Sequence, residues 1–505
     1  MQSRSVALVA GALNVFAFAP FGWWPLQIAT LALFFHLVLN APSIRSSAVL
    51  GWLYGFGWSI CGIYWLYISM HDYGGMPSFM AALAVALLAL VIGLYSALVA
   101  GVAAWFQRRR SASTWSMLVL VLPACWLLSE WLHGWVLTGF PWVVTGYAHT
   151  GSPLAGFAPL LGVYGIGWLA ALLAGCLVLA LQRNIAAAIS ILAILAAGFV
   201  LHSIDWTTPN GQPISVRLLQ GNVPQEIKFD AEQTNLTLTL YEDMIRAAPA
   251  DLIATPETAL PLLAQQLPED YLPRLSTFST ASNSHLAIGV PISDGPQQYA
   301  NSVIGISPAT SRDAPKIYRY DKHHLVPFGE FIPFGFRWFV DMMNIPLGDF
   351  TPGAALQMPF DVKDQWVLPN ICYEDLFGEE IASQLRASYA TGNPVATLLL
   401  NASNIAWFGD SIALPQHLQI SQMRALETGR PMLRATNTGA TAVIDPKGKV
   451  LAELPPFTRG VLTTSVQGYK GLTPYVLFGN LTIVLLALLL LITAWIVTRK
   501  KPNAS

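Results

Sequence analysis

The stretch LPNICYEDLF (368–377) places Cys372 between an apolar run and three polar residues, Tyr373, Glu374 and Asp375. Upstream, WVLPNI is mostly apolar and carries the β-branched Val367 and Ile371, so 366–374 reads as a strand that ends at the cysteine. The chain has four cysteines, and Cys61, Cys125 and Cys176 lie inside long apolar runs. Cysteine often serves as a small buried hydrophobe, so a core thiol is the plain alternative. The absence of regular cysteine spacing gives no disulfide framework and no CxxC metal signature.

Outward from Cys372, strand-like and helix-like segments alternate. ISVRLLQGNV (214–223), SHLAIGVPI (284–292), NSVIGIS (301–307) and PVATLLLNAS (394–403) read as strands, and DLIATPETAL (251–260) starts as one. AEQTNLTLTLYEDMIRAA (231–248) reads as an amphipathic helix, and EEIASQLRASYA (379–390) and LPQHLQISQMRALETG (414–429) read as helical. ATAVIDPKGKVLAEL (440–454) reads as a hairpin around Pro446-Lys447-Gly448. This alternation predicts an α/β layered domain over 203–473.

The rest of the chain has a different chemistry. Of 505 residues, 54% are hydrophobic and 11% charged, against about 25% charged in an ordinary soluble domain. Of the 28 Asp and Glu, only Asp72 and Glu130 precede residue 203. The net charge of −1 gives no bulk argument for a nucleic-acid partner, and none is expected. A membrane span needs about 20 apolar residues. Eight runs qualify as a multi-pass α-helical membrane domain: 5–20, 23–40, 48–70, 78–105, 115–132, 160–182 and 185–202 within 1–202, and 474–497 within 474–505. The first ends in AFAP, which resembles a cleavage site, but another apolar run follows and a retained helix is expected.

Basic residues orient the spans. With the N-terminus inside, Arg4, Arg45, Arg108, Arg109, Arg110, Arg183, Arg499, Lys500 and Lys501 all fall on the cytoplasmic side, whereas the outer connections 21–22, 71–77 and 133–159 hold no Lys or Arg. Both termini are then cytoplasmic, and 203–473 is periplasmic in a bacterial inner membrane. Trp23, Trp24, Trp135, Trp142 and Tyr147 read as an interfacial belt. Glu130 is expected to snorkel outward, and Gly51 and Gly55 form a GxxxG for close helix packing.

Three candidate reactive groups follow strands: Glu257 after DLIATP, Lys322 after KIYRYD and Cys372 after WVLPNI. Together they supply a base, a cation and a nucleophile. An ordinary thiol has a pKa of about 8.5, so a carboxylate that takes its proton during attack activates it. An ammonium favours a thiolate and stabilises an oxyanion. The amide N–H of Tyr373 is a natural second oxyanion donor, a class worth roughly 2.7–4 kcal/mol in a transition state. His323 and His324 lack further metal-ligand spacing and read as positioning residues. No metal or cofactor is expected.

ATPETALP, YDKHHLVPFGEFIP, NICYEDLF and NIAWFGDS resemble the motifs of the carbon–nitrogen hydrolase (nitrilase) superfamily, and the surrounding spans are similar to those of its membrane-bound acyltransferases. The resemblance implies an αββα sandwich, with Glu257, Lys322 and Cys372 as a catalytic triad and Glu330, Tyr373 and Glu374 as supporting residues. It implies a phospholipid acyl donor, preferably the sn-1 chain of phosphatidylethanolamine, held as a thioester on Cys372. The implied acceptor is the N-terminal amine of a diacylglyceryl-cysteine apolipoprotein, reached from the lipid bilayer. Phe229 stands where the family's Trp is expected. Trp407 and Phe408 are expected to line the substrate site, and 331–350 to form a partly mobile arm at the membrane surface. Nothing demands a second subunit, so a monomer is expected. One alternative is a membrane-anchored nitrilase-type amidase with water as acceptor, against which the number of spans argues. The other is a receptor or transporter without catalysis, for which mid-membrane broken helices are lacking.

Overall fold

The computed structural model describes residues 2–498 except 227, 229, 297, 309–316, 336 and 338–348. Phe229 and most of the 331–350 stretch therefore lie outside the described residues. Two units separate by internal packing: Met1–Tyr67, Pro77–Asp205 and Phe478–Ser505 form one, and Ile68–Met76 with Trp206–Leu477 form the other.

In the first unit the apolar runs fold as helices because a chain without water must satisfy its backbone internally. Ser78–Arg109, Thr114–His133, Pro153–Leu181 and Ile185–His202 are long and apolar enough to cross a membrane. Ile44–Gly62 continues into Leu66–Tyr73 across a 61° bend, and Trp24–Leu39 and Leu481–Val497 are shorter apolar helices. The first expected span differs most: it is a helix only over Gln2–Leu13, followed by a 3-10 turn at Asn14–Ala17. Ser43 and Asn184 cap two helix starts by accepting the N–H groups of Ser46 and Ala187. Phe79, Leu83, Leu87, Val91, Leu94 and Leu98 leave an apolar stripe exposed along Ser78–Arg109. Such a stripe is costly in water and natural in lipid.

Glycine sets the helix approach. A Cβ on Gly51 would lie 2.3 Å from the Ser96 carbonyl oxygen, and one on Gly55 would lie 2.9 Å from Gly93 Cα. Glu130 does not snorkel: it is buried, and its Oε1 accepts the Thr145 N–H at 2.7 Å. Thr145 in turn accepts from Trp126 Nε1 at 2.9 Å. A carboxylate inside apolar helices is costly until donors reach it, and Thr145 supplies them. The aromatic belt is also only partial, because Trp23 and Trp135 are exposed but Trp142 and Tyr147 are buried.

The second unit holds strands β1 (Thr208–Gln220), β2 (Leu252–Ala254), β3 (His285–Gly295), β4 (Gln298–Ile306), β5 (Tyr318–Asp321), β6 (Phe360–Val362), β7 (Gln365–Ile371), β8 (Leu398–Ser403), β9 (Met432–Thr436), β10 (Ala442–Ile444), β11 (Val450–Glu453) and β12 (Gly460–Lys470). They form two six-stranded sheets, ordered β12-β1-β2-β3-β4-β5 and β11-β10-β9-β8-β7-β6. Alternation assigns the faces. Ile214, Val216, Leu218, Leu252, Ala254, Ala287 and Val303 of the first sheet share a core with Val367, Leu398 and Leu400 of the second. The intervening Leu219, Ile253, Leu286, Ile288 and Ile304 share another core with Leu238, Tyr241 and Ile245 of helix Ala231–Arg246 and Leu275 of helix Tyr271–Ser282.

Helices Gly378–Thr391 and Ala413–Thr428 contribute Ile381, Leu385, Leu418 and Ala425 to the core of the second sheet. The layers are α, β, β, α, as the resemblance implied. Fully burying an aliphatic side chain is worth about 1.5–3 kcal/mol. A one-residue slip of β1 would turn Arg217 into the inter-sheet core. Instead Arg217 donates to the Met244 and Ile245 carbonyls at the end of helix Ala231–Arg246.

Candidate active site

β1, β2 and β3 run parallel in the first sheet, and β7, β8 and β9 run parallel in the second. Open parallel sheets present ligands at the carboxyl ends of their strands. Glu257 follows β2, Lys322 follows β5, Cys372 follows β7 and Asn404 follows β8.

The charged groups meet on the first sheet. Lys322 Nζ lies 2.8 Å from Glu330 Oε1 and 3.3 Å from Glu257 Oε1. Asn301, near the start of β4, donates through Nδ2 to both carboxylates at 2.8 Å. Its carbonyl accepts the Lys322 N–H at 2.8 Å, so one residue fixes the lysine backbone and both of its partners. Glu330 reaches the lysine because VPFGEF folds back on itself: Val326 N–H donates to Glu330 Oε2 at 2.8 Å. Glu257 sits in a turn packed against Gly289, where a Cβ would lie 2.0 Å from the Pro256 carbonyl oxygen.

The second sheet supplies the thiol. β7 stops at Ile371, one residue earlier than the sequence reading, and Cys372 opens a 3-10 turn over Cys372–Leu376 with φ of +51°. The left-handed conformation costs a residue with a Cβ roughly 1–2 kcal/mol, and it lifts the thiol out of the strand line. Glu374 does not touch the ion trio. Its oxygens accept the N–H groups of Ile371 at 2.6 Å and His323 at 2.7 Å, together with the Tyr320 hydroxyl. It ties the cysteine turn to the lysine strand. Burial pushes the Glu374 carboxyl up to about 7, against the pull of those N–H groups. The sheets also join at Glu257, whose Oε2 accepts the Asn404 N–H at 2.9 Å.

Electrostatics separate the cation from the thiol. Burial opposes the charge on Lys322, but Glu257, Glu330 and Cys372 outweigh it and hold its pKa above the ordinary value. Burial pushes the Cys372 thiol up to about 12, Glu257 adds to the rise, and Lys322 with a Ser403 hydrogen bond pulls only partly back. The ammonium expected to favour a thiolate is thus offset by its own carboxylate partners. A thiol raised in this way attacks readily only where a base takes its proton.

His323 Nδ1 pairs with the Gly353 carbonyl at 2.8 Å, and His324 Nδ1 with Glu380 at 2.8 Å. Among the described residues, no group of three His, Cys, Asp or Glu is placed to hold a metal. Tyr373 packs its ring 5.3 Å from that of Phe377. Trp407 and Phe408 lie in a 3-10 turn, Ile405–Phe408, that directly follows Asn404. Trp407 meets Tyr73 edge to face at 6.0 Å. Sequence reasoning missed Asn301 and Asn404. NSVIGIS read there only as a strand, which Asn301 opens, and in NIAWFGDS only Trp407 and Phe408 were singled out, although Asn404 opens it.

A two-sheet sandwich with a cysteine at a strand end is the architecture of a carbon–nitrogen hydrolase, and the Carbon-nitrogen hydrolase family matches residues 215–475. A carbon–nitrogen hydrolase superfamily protein of Xanthomonas campestris is similar at 17% identity and a TM-score of 0.38, over 51% of this chain and 91% of that one. The Apolipoprotein N-acyltransferase N-terminal domain family matches residues 10–177. An apolipoprotein N-acyltransferase of Ralstonia nicotianae is 52% identical across 94% of this chain and 90% of its own. One of Nitrosomonas europaea is 44% identical across 96% and 95%. The chain belongs to the apolipoprotein N-acyltransferase family, and with its long apolar helices it is an integral membrane protein.

Proposed function

We propose that this enzyme moves an acyl chain from a membrane phospholipid, the sn-1 chain of phosphatidylethanolamine, to the N-terminal amine of a diacylglyceryl-cysteine apolipoprotein. The observation that carries the reading is the buried Glu257–Lys322–Glu330 trio, electrostatically coupled to the Cys372 thiol, in a chain matched over most of its length by apolipoprotein N-acyltransferases.

In the first half-reaction Glu257 takes the thiol proton as sulfur attacks the ester carbonyl. Lys322 and the Tyr373 N–H stabilise the oxyanion. Collapse expels the lysophospholipid alkoxide, which receives the proton from Glu257, and leaves a thioester on Cys372. In the second, the neutral amine attacks that thioester while Glu257 accepts its proton. Amide forms, and the thiol is restored. Glu330 holds Lys322, Glu374 holds the cysteine turn, and Trp407 and Phe408 line the acyl path.

Membrane placement belongs to the same proposal. Eight spans leave both termini in the cytoplasm and residues 203–473 in the periplasm of a bacterial inner membrane, with the enzyme acting as a monomer. Support comes from the basic residues of the termini and short connections, which gather on one side of the apolar runs.

Purified enzyme carrying acyl label from phosphatidylethanolamine vesicles tests the acceptor. Retention of label in buffer and its release by a lipopeptide bearing a free N-terminal amine support the transferase. Rapid loss to water in the absence of any amine contradicts it.

A further inference from the structure

The carbonyl of Cys372 is held from behind the site. His417, on helix Ala413–Thr428, places Nε2 at 3.3 Å from that oxygen, and Asn401 Nδ2 donates to it at 3.3 Å. His417 is itself held: Arg434 Nη2 lies 2.9 Å from its Nδ1. Arginine only donates, so Nδ1 must accept and the ring proton must sit on Nε2, where it points at the Cys372 carbonyl. Arg434 Nη1 lies 3.3 Å from Asp375 Oδ2, and both side chains are fully buried. Ser421 Oγ donates to the same Asp375 oxygen. Asp375 belongs to the turn that Cys372 opens. The contacts therefore close a ring from Cys372 through Asp375, Arg434 and His417 back to the Cys372 carbonyl.

A peptide group is planar and trans, so its C=O and N–H point in opposite directions. The carbonyl of Cys372 shares its plane with the N–H of Tyr373. Anchoring the carbonyl on one side thus aims the N–H on the other. Cys372 is also in a left-handed conformation that it would not hold unaided. We infer that His417, in the tautomer imposed by Arg434, is a positioning residue that fixes the Cys372–Tyr373 peptide plane and so aims the Tyr373 N–H at the oxyanion of the acyl-transfer transition state. The inference rests on the reading of Cys372 as the nucleophile.

Two reactions of the same sulfur separate aim from integrity. Acylation by p-nitrophenyl octanoate passes through an oxyanion, whereas alkylation by iodoacetamide, a displacement at saturated carbon, does not. In the purified full-length enzyme, His417→Leu is expected to slow acylation of Cys372 by about 10²-fold, the low end for losing one oxyanion donor, with alkylation of the Cys372 peptide unchanged. His417→Gln retains one acceptor and one donor and is expected to keep most of the acylation rate. Asn401→Ala, which removes the second bond to the same carbonyl, is expected to cost roughly tenfold in acylation alone; it carries the test if the leucine variant does not fold. Wild-type acylation in both His417→Leu and Asn401→Ala overturns the inference. So does an equal loss of acylation and alkylation, which marks a merely structural role. A wild-type enzyme that carries the octanoyl group on another residue overturns the nucleophile reading, and this inference with it.

Discussion

The two sheets of the catalytic unit divide the work unequally. The first brings the charge: Glu257, Lys322 and Glu330 lie within 3.3 Å of one another's reactive atoms through the lysine, and Asn301 spans the two carboxylates. The second brings the thiol, and holds it with neutral hydrogen bonds and a left-handed backbone at Cys372. Charge is fixed by charge on one side, and the thiol is fixed by backbone geometry on the other. Asn404 to Glu257 and Glu374 to His323 are among the bonds that join the two. A buried thiol that stays protonated can thus face a carboxylate and avoid becoming a fourth member of its ion cluster.

The largest way to break this division is to remove the base. Glu257→Gln keeps the shape of the side chain, and acyl-enzyme formation followed by mass spectrometry should fall 10²–10⁴-fold, the usual worth of a positioned general base. Wild-type rates would remove Glu257 from the chemistry. Lys322→Met strikes the charge cluster itself. It leaves two buried carboxylates without their cation, which typically costs about 3–5 kcal/mol, and thermal unfolding should show that loss alongside inactivation. Stability equal to wild type would mean that the trio is not coupled.

The thiol side is sharpened by pH. With its pKa pushed up to about 12 by burial and Glu257, Cys372 is almost entirely protonated near neutrality. The thiolate fraction, and with it the rate of iodoacetamide alkylation, should rise about tenfold per pH unit from 7 to 10. A plateau near 8.5 would show an unperturbed thiol. The smallest effect is expected at the rim, where Trp407→Leu should raise the KM for vesicle phospholipid severalfold and leave octanoyl-ester acylation near wild type. An equal fall in both would place Trp407 at the sulfur rather than along the lipid path.

Much of the site was legible because strand ends are legible. Glu257 and Cys372 each follow an apolar run that breaks at a proline or a polar cluster, Lys322 follows the tyrosine-rich strand KIYRYD, and loops there present reactive groups. The residues that aim them were hidden. LPQHLQISQMRALETG read only as a helix, yet His417, Gln419, Arg424 and Glu427 are all buried. His417 meets Arg434 and Ser421 meets Asp375, both on other elements, and no local period records such pairing. β6, β12 and helix Tyr271–Ser282 were also missed. β12 is half exposed, and helix Tyr271–Ser282 carries Pro273 in its first turn, so neither shows a clean apolar pattern. In the membrane unit composition marked the apolar runs, but it did not foresee the bend after Gly62 or the burial of Glu130 against Thr145.

The account turns on a covalent acyl group at Cys372. Intact enzyme incubated with phosphatidylethanolamine of defined sn-1 chain, then digested and sequenced by mass spectrometry, should carry one acyl group of that mass on the Cys372 peptide. Hydroxylamine should remove it. An enzyme that transfers acyl chains to lipopeptide while Cys372 stays unmodified, or that does so as Cys372→Ser, would contradict the account.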